Sequence, residues 1–226
     1  MVVQEISFDL LSAGDYDWPK EDIELLIGPL FDCLASLSGK KVLDIGCGPG
    51  WITEMIAKEA AYTKGIDKSC TMICKAMQAR VNAYYEIADI VEHSDGIYDT
   101  ITSTLTMQLI TPEKNFKKAI ANCREMLHDE GDMILLLPHP CFIDRRDTGY
   151  SKYLVDDFTY FSGVTYEAQL RTRKGWISFA SHSYSLESYV RMFKSEGFYL
   201  DDLIEPEGWA DERYYPNFLI LRCKKR

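Results

Sequence analysis

The stretch Val42-Leu43-Asp44-Ile45-Gly46-Cys47-Gly48-Pro49-Gly50-Trp51 constrains this chain more than any other. A short apolar run ends in glycines, and helical periodicity follows at once, with Ile52, Met55 and Ile56 falling on one face. A strand that turns through glycines into a helix opens α/β sheets whose ligands lie at the carboxyl ends of the strands. Gly46 and Gly48 lack the Cβ that would block a tight turn and a close approach of backbone to ligand. The loop departs from the dinucleotide pattern G-x-G-x-x-G, whose third glycine lets the helix pack closely under a pyrophosphate. Trp51 occupies that third position. Asp44 would also repel a pyrophosphate, whereas it suits a ligand that carries an ammonium, met directly or through water.

The alternation continues along the chain. Strands are expected at Lys40–Gly46, Ala61–Asp67, Asn82–Asp89, Tyr98–Leu105 and Gly131–Pro138, the last apolar without alternation and hence central. Helices are expected at Trp51–Ala60, from the N-cap Ser69, and from Thr111-Pro112 to about His128. Lys20–Leu37 reads as an amphipathic helix on the sheet, interrupted by Gly28-Pro29. The segment His139–His182 breaks the pattern: it is long, aromatic and irregular. A helix in Ser185–Gly197 and two strands, Phe198–Glu205 and Phe218–Lys224, close the chain. These elements predict one domain over 1–226, with an N-terminal helical lid (1–38) and a substrate-side insertion (139–182).

Two further acids follow the first. Asp67 ends the second strand, 21 residues after Gly46, a spacing at which a carboxylate accepts hydrogen bonds from both ribose hydroxyls. Asp89 follows the third strand. With Asp44, three acids stand at the carboxyl ends of successive strands.

At these residues the chain resembles the class I (Rossmann-like) S-adenosylmethionine-dependent methyltransferases. Asp44 to Gly50 is similar to their first motif, Gly65-Ile66-Asp67-Lys68 to the ribose motif, Ala88-Asp89-Ile90 to the adenine motif, and Tyr98 to Leu105 to the fourth. The resemblance implies an α/β, doubly wound, mostly parallel seven-stranded sheet with a reversed last strand. It implies S-adenosyl-L-methionine as cofactor and S-adenosyl-L-homocysteine as product. The implied cofactor contacts are Asp44, Gly46, Cys47, Gly48, Gly50, Asp67, Lys68, Asp89, Ile90, Thr104 and Leu105. Tyr16 joins them from an N-terminal lid over the methionine carboxylate.

A sulfonium methyl donor is already activated, so the protein mainly aligns a nucleophile, excludes water and removes a proton where necessary. His139, directly after the fifth strand, is the first candidate base, and His182 the second. A turn-shaping His139 and a surface or helix-capping His182 are the alternatives. For the substrate, the insertion supplies Arg145 as an anion clamp and Tyr150, Tyr160 and Trp176 as an aromatic lid. These side chains serve equally as a neutralised pair with nearby acids and as a packing layer.

Absences narrow the acceptor. Ser103-Thr104-Leu105-Thr106 stands where base-amino methyltransferases carry Asn/Asp-Pro-Pro-Tyr, and Pro140-Cys141 lies after the fifth strand rather than the fourth. No carboxylate cluster suggests a magnesium site, so no metal is expected. The net charge of −10 disfavours nucleic acid, and the single basic cluster, Arg222–Arg226, is short. The expected reaction is O- or N-methylation of a small molecule. The competing readings are a protein or tRNA methyltransferase and a non-catalytic, cofactor-binding subunit; an oxidoreductase requires Trp51 beside a pyrophosphate. The seven scattered cysteines include no C-x-x-C, fit reduced thiols, and place the expected work in the cytosol without membrane contact. Cys70 and Cys74, four apart on a helix, read as a half-buried packing pair, with a shared soft metal as the alternative.

Overall fold

A computed structural model of the chain describes residues 20–78, 81–145, 151–155, 158–161, 163–172, 175–206 and 215–226. Tyr16 and Tyr150 lie outside the described residues, as does the side chain of Arg145.

The chain runs α1 (Lys20–Leu34), β1 (Lys41–Ile45), α2 (Trp51–Ile56), β2 (Tyr62–Asp67), α3 (Cys70–Ala76), β3 (Tyr84–Ile87) and β4 (Tyr98–Thr104). A short 3-10 helix, Met107–Leu109, leads to α4 (Glu113–Met126) and β5 (Leu127–Pro138), and a second, Pro140–Arg145, follows. Then come β6 (Ser151–Leu154), β7 (Val164–Thr172), β8 (Gly175–Ser183), α5 (Leu186–Ser195), β9 (Phe198–Ile204) and β10 (Phe218–Lys225).

Seven strands form one sheet in the order β3-β2-β1-β4-β5-β10-β9. Neighbours from β3 to β5 pair in parallel, whereas β10 runs antiparallel to both β5 and β9. This is the expected doubly wound sheet with a reversed last strand. All but the first residue of β1 is buried, because both sheet faces are covered. On one face Leu30, Cys33, Leu34 and Leu37 from α1 and its exit pack with Ile56, Ile134, Leu136 and Ile220. The described part of the N-terminal region is thus a core helix rather than a lid. On the other face α4 and α5 bring Phe116, Ile120, Tyr189 and Phe193 against Ile101, Leu135 and Leu219. No described helix is long and apolar enough to cross a membrane.

Several boundaries differ from expectation for local reasons. Strand β3 keeps only four residues; it is an edge strand with one pairing partner, and Tyr84 and Ile87 are exposed. Strand β5 begins at Leu127, immediately after α4, because Leu127 already pairs with Tyr98. The insertion, expected to be irregular, contains an antiparallel three-stranded sheet, β6-β7-β8, with its own small core of Ile143, Tyr166 and Ala168. Helix α3 does start on Ser69, whose hydroxyl accepts the Met72 N–H at 3.3 Å. Cys70 and Cys74 on it are both exposed, so the half-buried pair expected from their spacing is corrected. The basic tail is the end of β10: Arg222 pairs with Asp132 at 2.9 Å and Lys225 with Asp129 at 3.3 Å.

Candidate functional site

The glycine loop is shaped by what crowds its underside. Gly46 has φ +65, and a Cβ there would overlap the Thr106 side chain, whose hydroxyl donates to the Gly46 carbonyl at 3.1 Å. Gly46 and Cys47 both donate their N–H to Ile66 O, at 2.7 and 3.0 Å, which ties the loop to β2. The Cys47 side chain turns under the loop and fills the space that a Cβ on Gly65 would need. Burial pushes its thiol pKa up, with Asp44 and Asp67 adding to the shift. Cys47 therefore supports the loop from below. Gly48 is the opposite case: its φ is +54 and nothing lies within 4 Å of where a Cβ would stand. The loop is anchored beneath and open above, which suits close approach of a ligand.

The strand-end acids hold this loop. Asp67 accepts the Gly48 N–H at 2.9 Å on one oxygen and the Ser69 N–H at 2.8 Å on the other. A carboxylate at this strand end is placed to accept ribose hydroxyls. Asp44 is 1% exposed, and Thr53 on α2 donates to it at 2.6 Å. Burial pushes the Asp44 carboxyl up to about 7, against the Thr53 bond and with help from Asp67. A buried acid of this kind orients the loop and helix and stores a charge that a nearby cation would stabilise.

Beyond β3, Asp89 accepts the Val91 N–H at 2.9 Å and closes a tight turn. Ile90, expected to lie against an adenine ring, is buried in the main core with Ile66 and Ile101. Its side chain anchors the turn to the core. Asn122 on α4, which sequence reasoning missed, donates to the carbonyls of Ile90 and Val91 at 2.7 and 3.0 Å. Lys68 is exposed just beyond Asp67.

The exit of β4 is tightly constrained. Leu105 takes a left-handed conformation, φ +53, which is strained for a side chain of its size. It directs the chain so that Thr106 reaches the glycine loop and the 3-10 helix at 107–109 packs between β5 and β8. The Thr104 hydroxyl oxygen is buried there without a partner.

His139 lies directly after β5, as expected, but it is only 2% exposed and both ring nitrogens are engaged. Nε2 and the Glu205 carboxylate are 2.7 Å apart, and Nδ1 lies 3.2 Å from the Cys141 N–H that it accepts. Burial lowers its pKa, and Glu205 opposes that only in part. A neutral ring that donates from Nε2 and accepts at Nδ1 has no lone pair left for a substrate proton. The expectation of His139 as base is corrected: it ties the β5 exit to the end of β9, beside the stacked rings of Phe142 and Tyr215.

His182 differs. Its Nδ1 lies 2.8 Å from the Thr165 hydroxyl, its ring packs at 4.3 Å on Tyr184, and Nε2 has no hydrogen-bond partner among the described residues. Burial lowers its pKa, so the ring is neutral at pH 7. Tyr160 accepts the Leu186 N–H at 3.1 Å and clips the insertion to the start of α5. Trp176, 44% exposed at the β7–β8 hairpin end, carries Lys152 Nζ 5.6 Å from its ring centre. It stands six residues from His182 along β8, about 20 Å away. The expected aromatic lid is therefore divided, with Tyr160 at the α5 end and Trp176 at the far tip.

Residues 42–131 match the family described as methyltransferase domain. The ubiquinone biosynthesis O-methyltransferase of Erwinia tasmaniensis is 30% identical over 104 residues, which span 43% of this chain and 42% of that protein. The chain thus matches less than half the length of such curated relatives. A putative S-adenosylmethionine-dependent methyltransferase from Listeria monocytogenes superposes with a TM-score of 0.72, at 22% identity, over 90% of this chain and 99% of that one. The DhpI–SAH complex superposes with a TM-score of 0.63, at 15% identity, over 91% and 86%. The fold is that of the class I (Rossmann-like) S-adenosylmethionine-dependent methyltransferases. The segment matched to the methyltransferase domain carries the glycine loop, Asp67, Asp89 and the β4 exit.

Proposed function

We propose that this chain binds S-adenosyl-L-methionine over its glycine loop and methylates an oxygen or nitrogen of a small molecule. The observation that carries the reading is the open backbone at Gly48, held by Asp67 at 2.9 Å. The residues fit the cofactor: bare backbone for the close approach, a strand-end carboxylate for a ribose, and a buried acid near the loop for an ammonium. When bound, the cofactor supplies a methyl group on a positively charged sulfur.

The chain's residues then do the rest. Asp67 and the turn at Asp89 fix the nucleoside end, and Asp44 supplies negative charge beneath the loop. Thr104 and Leu105 border the methionine end. The inserted sheet covers the β4 exit and excludes water. His182 Nε2, held by Thr165 through the other nitrogen, takes the acceptor's proton. His139 supports the wall of the acceptor side. The relative's O-methyltransferase activity favours oxygen among the acceptor atoms. Small size is favoured by the acidic balance of the chain, net charge −10.

Calorimetric titration with S-adenosyl-L-homocysteine and, separately, with NAD tests the cofactor. Micromolar S-adenosyl-L-homocysteine binding and no NAD binding are expected, and Asp67→Ala should weaken the former by about a hundredfold. NAD binding without S-adenosyl-L-homocysteine binding overturns the reading.

A further inference from the structure

At the β4 exit one amide oxygen is buried without a hydrogen-bond partner. Gln108 is 6% exposed, its side-chain oxygen has no hydrogen-bond partner, and it lies in the middle of the 3-10 helix at 107–109. Buried polar groups are ordinarily satisfied, and each exception calls for an explanation. Its surroundings supply one. Thr106, two residues before it at the helix N-cap, holds the glycine loop through Gly46. Strand β8, which ends in His182 and Ser183, packs on the same helix from the other side. The strained Leu105, φ +53, directs the chain into this position. Among the described residues, other partnerless buried oxygens belong to Thr63, Thr100 and Thr102, inside β2 and β4, and to Tyr85 on β3, whose hydroxyl crowds the Cβ position of Gly50. Of the two at the β4 exit, Thr104 and Gln108, Gln108 is the one in the helix on which β8 packs.

We propose that the Gln108 amide is the hydrogen-bonding anchor of the methyl acceptor and that it selects an uncharged hydroxyl-bearing substrate. The inference rests on the methyltransferase reading and adds a substrate class to it. A neutral amide accepts an O–H without a counter-charge, whereas a buried carboxylate or ammonium on the substrate would need one. A hydroxyl has one hydrogen, so the O–H held by Gln108 is not the one His182 deprotonates: it anchors the substrate while a second oxygen or nitrogen faces the methyl donor and the base. No bond is made or broken at Gln108 itself.

The test compares wild type with Gln108→Met, an apolar residue of similar length. Phenol and anisole serve as probes on protein saturated with S-adenosyl-L-homocysteine; they share a ring, and only phenol has an O–H. Ligand-observed NMR should show wild type preferring phenol about tenfold, and the variant showing no preference. The variant should bind S-adenosyl-L-homocysteine as tightly as wild type. Without ligands it should melt at the same temperature or about 2 °C higher, because an orphaned polar group has been removed. A lower melting temperature would mean the amide is a structural bond partner and would overturn the proposal. Weakened S-adenosyl-L-homocysteine binding would assign Gln108 to the cofactor instead, and an absent phenol preference in wild type would remove the hydroxyl specificity. Failure of wild type to bind S-adenosyl-L-homocysteine at all would strike the underlying methyltransferase reading, and is distinguishable from these.

Discussion

On the β1–β2 side of the carboxyl edge, the polar contacts run mainly through backbone groups. Asp67 takes two N–H groups, Ile66 O takes two more, and Gly46 is wedged on Thr106. On the β5–β9 side every bond depends on a side chain of another element: His139 with Glu205, His182 with Thr165, and Tyr160 with the Leu186 N–H at the start of α5. The first side is a rigid cradle defined by main chain, in which few substitutions are tolerated. The second is a wall assembled from side chains of several elements, which can be changed piece by piece while the cradle persists. That contrast is what the proposed methyl transfer needs: a fixed place for the donor and a separately adjustable place for the acceptor.

The contrast can be broken by experiment. Its largest expected effect is Gly46→Ala, where a Cβ meets Thr106 and the positive φ disfavours any side chain. Strain and overpacking of this kind destabilise by about 1–3 kcal/mol or more, and S-adenosyl-L-homocysteine binding should be lost. A variant that still titrates normally would show the cradle to be pliable. His182→Ala should leave S-adenosyl-L-homocysteine affinity unchanged while turnover of an accepted substrate falls by about a hundredfold. In wild type, turnover should rise with pH through a value below 6.5, as burial lowers the His182 pKa, and then level off. An unaltered rate in the variant would remove the base from the acceptor side.

The smallest effect is expected at Asp44. Its carboxyl is raised to about 7, so the uncharged form is favoured in the folded protein without ligand. The stability this contributes is full below the ordinary carboxylate range and is lost as pH rises through 7. A cation over the loop favours the ionised form, so S-adenosyl-L-homocysteine affinity should increase several-fold between pH 6 and 8, with proton release. Asp44→Asn should flatten that dependence, as titrations in buffers of different ionisation enthalpy would show. A pH dependence that survives the substitution would assign the proton elsewhere.

The cradle was legible in the sequence because it is local. Glycine spacing, the absent glycine at Trp51 and an acid at each strand end carry the geometry in single short segments. The order of the main-sheet elements was legible for the same reason, and the reversed β10 was implied by the family resemblance. The wall was not. His139 looked like a free base, since its partner Glu205 is 66 residues away and no local pattern announces the bond. The motif position of Ile90 was legible, but not that its side chain turns into the core. The inserted sheet left a signal that could have been used: Tyr166, Ala168 and Leu170 alternate with Thr165, Glu167 and Gln169 along β7, the period of a half-buried strand. Gln108 gave none, because an unsatisfied amide is visible only when everything around it is placed.

The inserted sheet leaves the main one at Pro138 and rejoins it at α5, held there by Tyr160 on Leu186. Its departure and return both lie on the acceptor side, and no main-sheet strand pairs with any of its three. Such a segment behaves as a cassette: it can be exchanged between homologues, lengthened or recombined without reopening the nucleoside end. A lineage that needs a new acceptor has a natural place to acquire it, and a protein engineer has the same two splice points.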